Sequence, residues 1–143
     1  MISNLPVYIS IVFILTTLLS VLLFYKATNR SKTSLVIISA WLVLQGALAY
    51  SGFYTIADST PPRFPLIAVP ALLFIAVLFF TGSGKRFLDG LDARWLTILH
   101  VVRVPVEICL YWLFLQKTIP QLMTFEGRNF DILAGLSAPV IFY

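Results

Sequence analysis

From Trp95 to Gln116 the chain reads WLTILHVVRVPVEICLYWLFLQ, an apolar run of 22 residues whose only formal charges are Arg103 and Glu107. A helix of that length rises about 33 Å, enough to cross a hydrocarbon layer of roughly 30 Å. At roughly 100° per residue, His100, Arg103 and Glu107 fall within an arc of about 60°, and Tyr111 shares their side of the helix. An ion at the centre of a bilayer costs on the order of 2.5–3.5 kcal/mol on insertion scales. The run therefore predicts a transmembrane helix whose polar side is turned toward other helices and away from lipid.

The rest of the chain is of the same kind. Of its residues 59% are hydrophobic and 11% charged, against about 45–50% and about 25% in a soluble domain. The pattern predicts an all-α polytopic transmembrane helix bundle forming a single membrane domain over residues 1–143, with four full helices at about 5–25, 33–56, 64–80 and 95–116 and a partial fifth at 129–143. The fifth segment is too short to span comfortably and lacks a basic flank, so further helices are expected beyond Tyr143. No Lys or Arg precedes the first apolar run and no small-residue cleavage site follows it, so it reads as a retained helix and not a signal peptide.

Charge sets the expected orientation. Lys26, Arg30 and Lys32 lie between segments one and two, and Lys85, Arg86 and Arg94 between three and four; the opposite loops hold only Arg63, Lys117 and Arg128. Positive loops stay in the cytoplasm, which places the N-terminus outside and the protein in a bacterial inner membrane. Tyr8, Tyr25, Tyr54, Trp95 and Trp112 fall near the expected interfaces, as an aromatic belt requires. The net charge of +4 is thus explained by topology, and no Lys/Arg cluster resembles a nucleic-acid surface.

Several chemistries are excluded or poorly supported. A lone cysteine, Cys109, allows no intrachain disulfide, and it lies about 180° around the helix from His100. A lone histidine rules out zinc by ligand count and bis-His haem within the chain, leaving only a methionine or a partner chain as a second axial ligand. TGSGKR, Thr81 to Arg86, is not a phosphate loop: Phe79 stands at the first glycine position and Arg86 where Ser or Thr is needed. It reads as a cytoplasmic turn. No catalytic residue, metal or cofactor is assigned.

The candidate site is the polar side of helix four. Arg103 and Glu107 are spaced i, i+4 and can pair within the helix. Pro105 removes a backbone N–H and frees the Val101 carbonyl, within reach of the polar side chains. Three readings stay open: an ion pair that locks packing, a proton or small-solute path, or an enzyme site with His100 as acid/base and Arg103 as anion clamp. Gln45, Ala49 and Gly52, with Gly46 adjacent, form a packing side on segment two that is the expected partner of helix four. In EGRNFD, Asn129 suits an N-cap and Asp131 the first helical turn. The sharper reading makes Glu126 and Arg128 an outer lip, with Asp131, above Glu107. The path residues are then His100, Arg103, Glu107, Gln45, Tyr111 and Asp131.

HVVRVPVEICLYWLF and MTFEGRNFDILAGL together resemble segments of uncharacterised bacterial polytopic membrane proteins, over roughly the C-terminal third. The resemblance implies the membrane class and brings no activity or functional residue. The expected partners are lipid, with a second copy or other membrane subunits, and the expected role is proton or small-solute translocation; the rivals are a structural or assembly subunit and a membrane-embedded enzyme. The orientation is testable in a Cys109→Ala background. A cysteine placed at Ser31 or Ser83 should react with a membrane-impermeant thiol reagent only from the cytoplasmic side, and one at Ser59 only from outside; the reverse pattern inverts the topology.

Overall fold

A computed structural model describes residues 5–55 and 68–142. Segment three's first residues, 64–67, and Arg63 and Ser59 lie outside them. The described residues form seven α-helices and no strand: α1 Val7–Ala27, α2 Lys32–Tyr50, α3 Ala68–Phe80, α4 Gly82–Asp89, α5 Ala93–Leu99, α6 Arg103–Leu115 and α7 Asp131–Phe142, with 3-10 turns at Phe53–Thr55, His100–Val102 and Gln121–Met123. Three helices are long and apolar enough to cross a membrane: Val7–Ala27, Lys32–Tyr50 and the continuous Ala93–Leu115. The α3–α4 pair, bent by 90°, qualifies as a fourth when taken as one span. The chain divides into two compact units, 1–30 with 92–143, and 31–91.

In the first unit α1 and α7 both pack on the α5–α6 helix. The Asp92 N–H donates to the Ala27 carbonyl (2.9 Å), so α5 starts where α1 ends and the two run antiparallel. Tyr8 meets Trp112 edge-on at 4.9 Å at the other end. The packing is inverted relative to a soluble core. On α1 the buried residues Ile9, Thr16 and Ala27 fall within an arc of about 20°, while Ile11, Ile14, Leu15, Leu18 and Leu22 point outward. On α7 the buried residues are Gly135 and Ala138, and Leu133, Leu136, Val140 and Ile141 are exposed. Small residues inside and large apolar ones outside permit close helix approach and suit an apolar surrounding.

Pro105 shapes the middle helix. Its missing N–H would leave an α-helical carbonyl unpaired. The chain instead tightens to a 3-10 turn at His100–Val102, and the His100 and Val101 carbonyls accept from backbone N–H groups at the turn's end. The Val101 carbonyl is therefore satisfied by backbone and not, as expected, by a polar side chain. Gly135 of α7 lies on this turn: a Cβ there would come within 2.8 Å of Val104 Cγ2 and 3.1 Å of the His100 carbonyl oxygen.

In the second unit Ser31 caps α2, its Oγ accepting from Ser34 N (3.3 Å). The helix ends at Tyr50 and the chain turns at Gly52 with φ 73°, so Gly52 ends the helix and does not extend the small-residue side expected with Gln45 and Ala49. No α2 residue is buried, and Gly46 has nothing within 4 Å of a built Cβ. Tyr54 donates to Gln45 Oε1 (2.6 Å) and ties the following 3-10 turn back to α2. The TGSGKR stretch is not a plain turn. Thr81 caps α4, its Oγ1 accepting from Gly84 N (3.0 Å). A Cβ on Gly84 would overlap the Leu78 carbonyl, so glycine is what lets the chain turn this sharply.

Substituting Gly135→Ala should lower stability by about 1–3 kcal/mol, because the new methyl overpacks a rigid turn. Since the tightest contact is a Val104 methyl, Val104→Ala/Gly135→Ala should recover part of the loss. Melting in detergent checks this, and no destabilisation by the single change would contradict the close approach.

Candidate functional site

The site forms where three breaks in regular helix meet: the 3-10 turn before α6, the end of the 116–130 loop and the start of α7. Glu107 lies one turn into α6, about 18 Å along the helix from Trp95 and about 12 Å from Leu115. The loop after Leu115 does not stay at the helix end. It folds back until Asn129 Nδ2 donates to Glu107 Oε1 at 2.5 Å. Its path is held by Thr124, which is fully buried and bonded through N and Oγ1 to the Gln121 carbonyl (2.9 Å each). The Gly127 and Asn129 N–H groups return to the Thr124 carbonyl (2.9 and 3.4 Å). Gly127 is required by space, since a Cβ would overlap the Gln121 carbonyl. Phe125 stacks on Tyr111 at 5.2 Å, fastening the loop to α6.

Because the loop returns so far, α7 starts level with Glu107, and about 18 Å of helix brings Phe142 beside Trp95 at 5.6 Å. Asn129 Oδ1 accepts from Asp131 N (3.3 Å), so the expected cap forms, and the same side chain also binds Glu107.

Charge pairing differs from the i, i+4 expectation. Arg103 Nη1 pairs with Asp131 Oδ1 at 2.5 Å, between the first residues of α6 and α7, with the two side chains 36% and 57% exposed. Glu107 is 2% exposed. Its Oε2 has no hydrogen-bond partner among the described residues. The arginine goes to Asp131 because the loop delivers that carboxylate to the end of α6, whereas Glu107 points deeper between the helices. His100 does not join Glu107 in burial; its residue is exposed. What α7 touches at position 100 is the backbone carbonyl.

The structure thus brings together Arg103, Glu107 and Asp131, while Tyr111 packs on Phe125 of the loop. Gln45 lies in the other unit, bonded by Tyr54. Glu126 and Arg128 of the expected lip are exposed on the loop. Cys109 is buried as expected. Among the described residues no group of three His, Cys, Asp or Glu side chains is placed to hold a metal ion. Sequence reasoning missed Asn129 as the carboxyl's partner, Thr124 as the loop's buried anchor and Gly135 as the contact for the 3-10 turn. The available signal was the polar stretch Glu126 to Asn129 directly before the fifth segment.

Comparison with family models, curated proteins and solved structures returned no match.

Asn129→Ala removes the one donor to Glu107 among the described residues and should cost about 1–3 kcal/mol, as for any buried acceptor left unpaired. The exposed Arg103–Asp131 pair should couple by no more than about 1 kcal/mol in a double-mutant cycle. If thermal melts give the opposite ranking, the ion pair and not the Asn129 bond organises the site.

Proposed function

We propose that this chain is an integral protein of the bacterial inner-membrane type in which Glu107 exchanges a proton during translocation of protons or a small solute. α1, α2, the apolar stretch that ends in α3 and the α5–α6 helix serve as four spans, with α7 entering the membrane as a fifth segment. Support for insertion comes from the outward-facing Leu, Ile and Val side chains of α1 and α7, which would be an aggregation liability in water. Lys26, Arg30 and Lys32 at the α1–α2 junction, with Lys85 and Arg86 in α4 and Arg94 in α5, favour a cytoplasmic position for residues 26–32 and 85–94.

One observation carries the functional reading: a nearly wholly buried carboxyl group with one oxygen bonded and the other without a partner among the described residues. The amide of Asn129 donates equally to a carboxylate oxygen or to the carbonyl oxygen of the acid. Oε2 can therefore gain or lose a proton without disturbing the bond that holds the loop. A scaffold calls for a fully paired cluster, which Glu107 is not. Intramembrane ionisable groups of this kind belong to ion and proton routes. The structural-subunit reading draws on a different observation, the Arg103–Asp131 pair and the Gly135 approach, which fix α7 on α6. The enzyme reading lacks such support, because His100 does not share a buried site with Glu107.

Glu107→Gln keeps an oxygen for Asn129 but cannot exchange a proton. Purified protein in proteoliposomes should keep its melting temperature within a few degrees while proton flux, read with a trapped pH dye, falls to the level of empty vesicles. Flux identical to the parent refutes the exchange role. A variant that unfolds, with stability restored by Glu107→Met/Asn129→Leu, assigns the cluster to packing.

A further inference from the structure

The end of the first unit opposite Tyr8 carries a feature that the Glu107 reading does not use. Lys26, Asn29, Arg30, Asp92 and Trp95 line a pocket of about 250 Å³. The Lys26 ammonium lies 4.2 Å from the centre of the Trp95 ring, which orients the cation without neutralising it. α1 ends here in an unusual way. Asn29 and Arg30 both take left-handed backbone, with φ of 52° and 61°, and the Arg30 N–H returns to the Tyr25 carbonyl (2.9 Å). Asparagine tolerates that region; arginine does so at a strain that glycine would avoid. The turn is nevertheless fixed: Thr28 is buried with its hydroxyl bonded to the Tyr25 carbonyl (3.0 Å), and the Ala27 carbonyl accepts from Asp92 N (2.9 Å). The strained turn sets Arg30 on the same pocket as Lys26.

The acidic member of the pocket is partly committed. Asp92 Oδ1 accepts from Arg94 N (2.9 Å) and Trp95 N (3.4 Å) as the cap of α5. Two cations, one acid engaged in capping and an aromatic wall make a site with net positive charge and an apolar side. That is the chemistry of a phosphate group attached to something apolar, and strain held at a pocket-lining residue is a mark of function.

We propose that Lys26 and Arg30, with Trp95 as the wall, bind a phosphate group at this end of the unit. The phosphate is supplied either by a phospholipid headgroup or by a free phosphate compound. The lipid source rests on the membrane-insertion reading above, under which this pocket lies at the cytoplasmic interface, where anionic lipids collect. It does not rest on the role of Glu107.

The test uses the full chain purified in detergent. Native mass spectrometry measures retention of phosphatidylglycerol and of diacylglycerol, which has the same tails and no phosphate; calorimetry measures inorganic phosphate. Phosphatidylglycerol should be retained and diacylglycerol not. Lys26→Gln/Arg30→Gln should weaken phosphatidylglycerol about 30-fold, about fivefold for each cation. Arg30→Gly relaxes the left-handed strain, so it should melt at or above the parent temperature while binding falls about fivefold, which separates binding from folding. Inorganic phosphate binding as tightly as the lipid assigns the site to free phosphates; much weaker competition by it assigns the site to the headgroup. Equal retention of diacylglycerol, or unchanged phosphatidylglycerol binding in the double variant or in Arg30→Gly, overturns the site. Release of the chain from membranes by an alkaline carbonate wash overturns insertion instead, a separate outcome.

Discussion

The Asn129 side chain holds the first unit's polar centre together. Its amide nitrogen donates to Glu107 on α6 and its amide oxygen accepts from the backbone at the start of α7. One residue thereby fixes where the loop stops, where α7 begins and which oxygen of the carboxyl is occupied. Remove it, and only the half-exposed Arg103–Asp131 pair gives the loop a polar reason to descend beside α6 among the described residues. The buried Thr124, the Phe125–Tyr111 stack and the glycine at 127 shape the path, but each acts above the point where Asn129 closes it.

That closure explains why the polar residues coincide with breaks in regular helix. A continuous helix satisfies its own backbone and offers a neighbour only side chains. Here Pro105 forces a 3-10 turn, and Gly135 approaches the backbone of that turn. Arg103 and Asp131 stand at the first positions of two helices, where a basic and an acidic side chain can meet without either entering the deeper contact. Glu107, one turn further in, has Asn129 as its hydrogen-bond partner among the described residues. The distinction between a half-exposed ion pair and a buried carboxyl with one partner is what separates a packing device from a group able to change its charge.

The two ends of the first unit are built differently. Near Tyr8 and Trp112 the contact is aromatic and apolar. Near Trp95 the chain spends backbone strain at Arg30 to bring a second cation beside Lys26. This asymmetry agrees with the charge asymmetry of the loops, so the proposed orientation and the proposed phosphate site rest on related chemistry while being tested separately.

Much was determined by sequence alone. Helix type and approximate limits follow from apolar runs, because local composition and the 3.6-residue period decide whether a segment can satisfy its backbone and bury its sides. The burial of Glu107 and the capping role of Asn129 were equally legible. Pairing was not. The i, i+4 spacing made Arg103 and Glu107 look like partners, yet Asp131, twenty-eight positions on, takes the arginine because the loop folds back. The 100° projection put His100 with Glu107, but His100 is exposed and Glu107 is buried between the helices. TGSGKR read as a turn because its glycines break helices in general, whereas Thr81 supplies a cap and Gly84 clears the Leu78 carbonyl, so a new helix starts there. Sequence fixes which residues are able to pair or turn, since that depends on chemistry and short-range period. Which of them do so is decided by tertiary structure, because it depends on how far a loop returns and how closely two backbones approach.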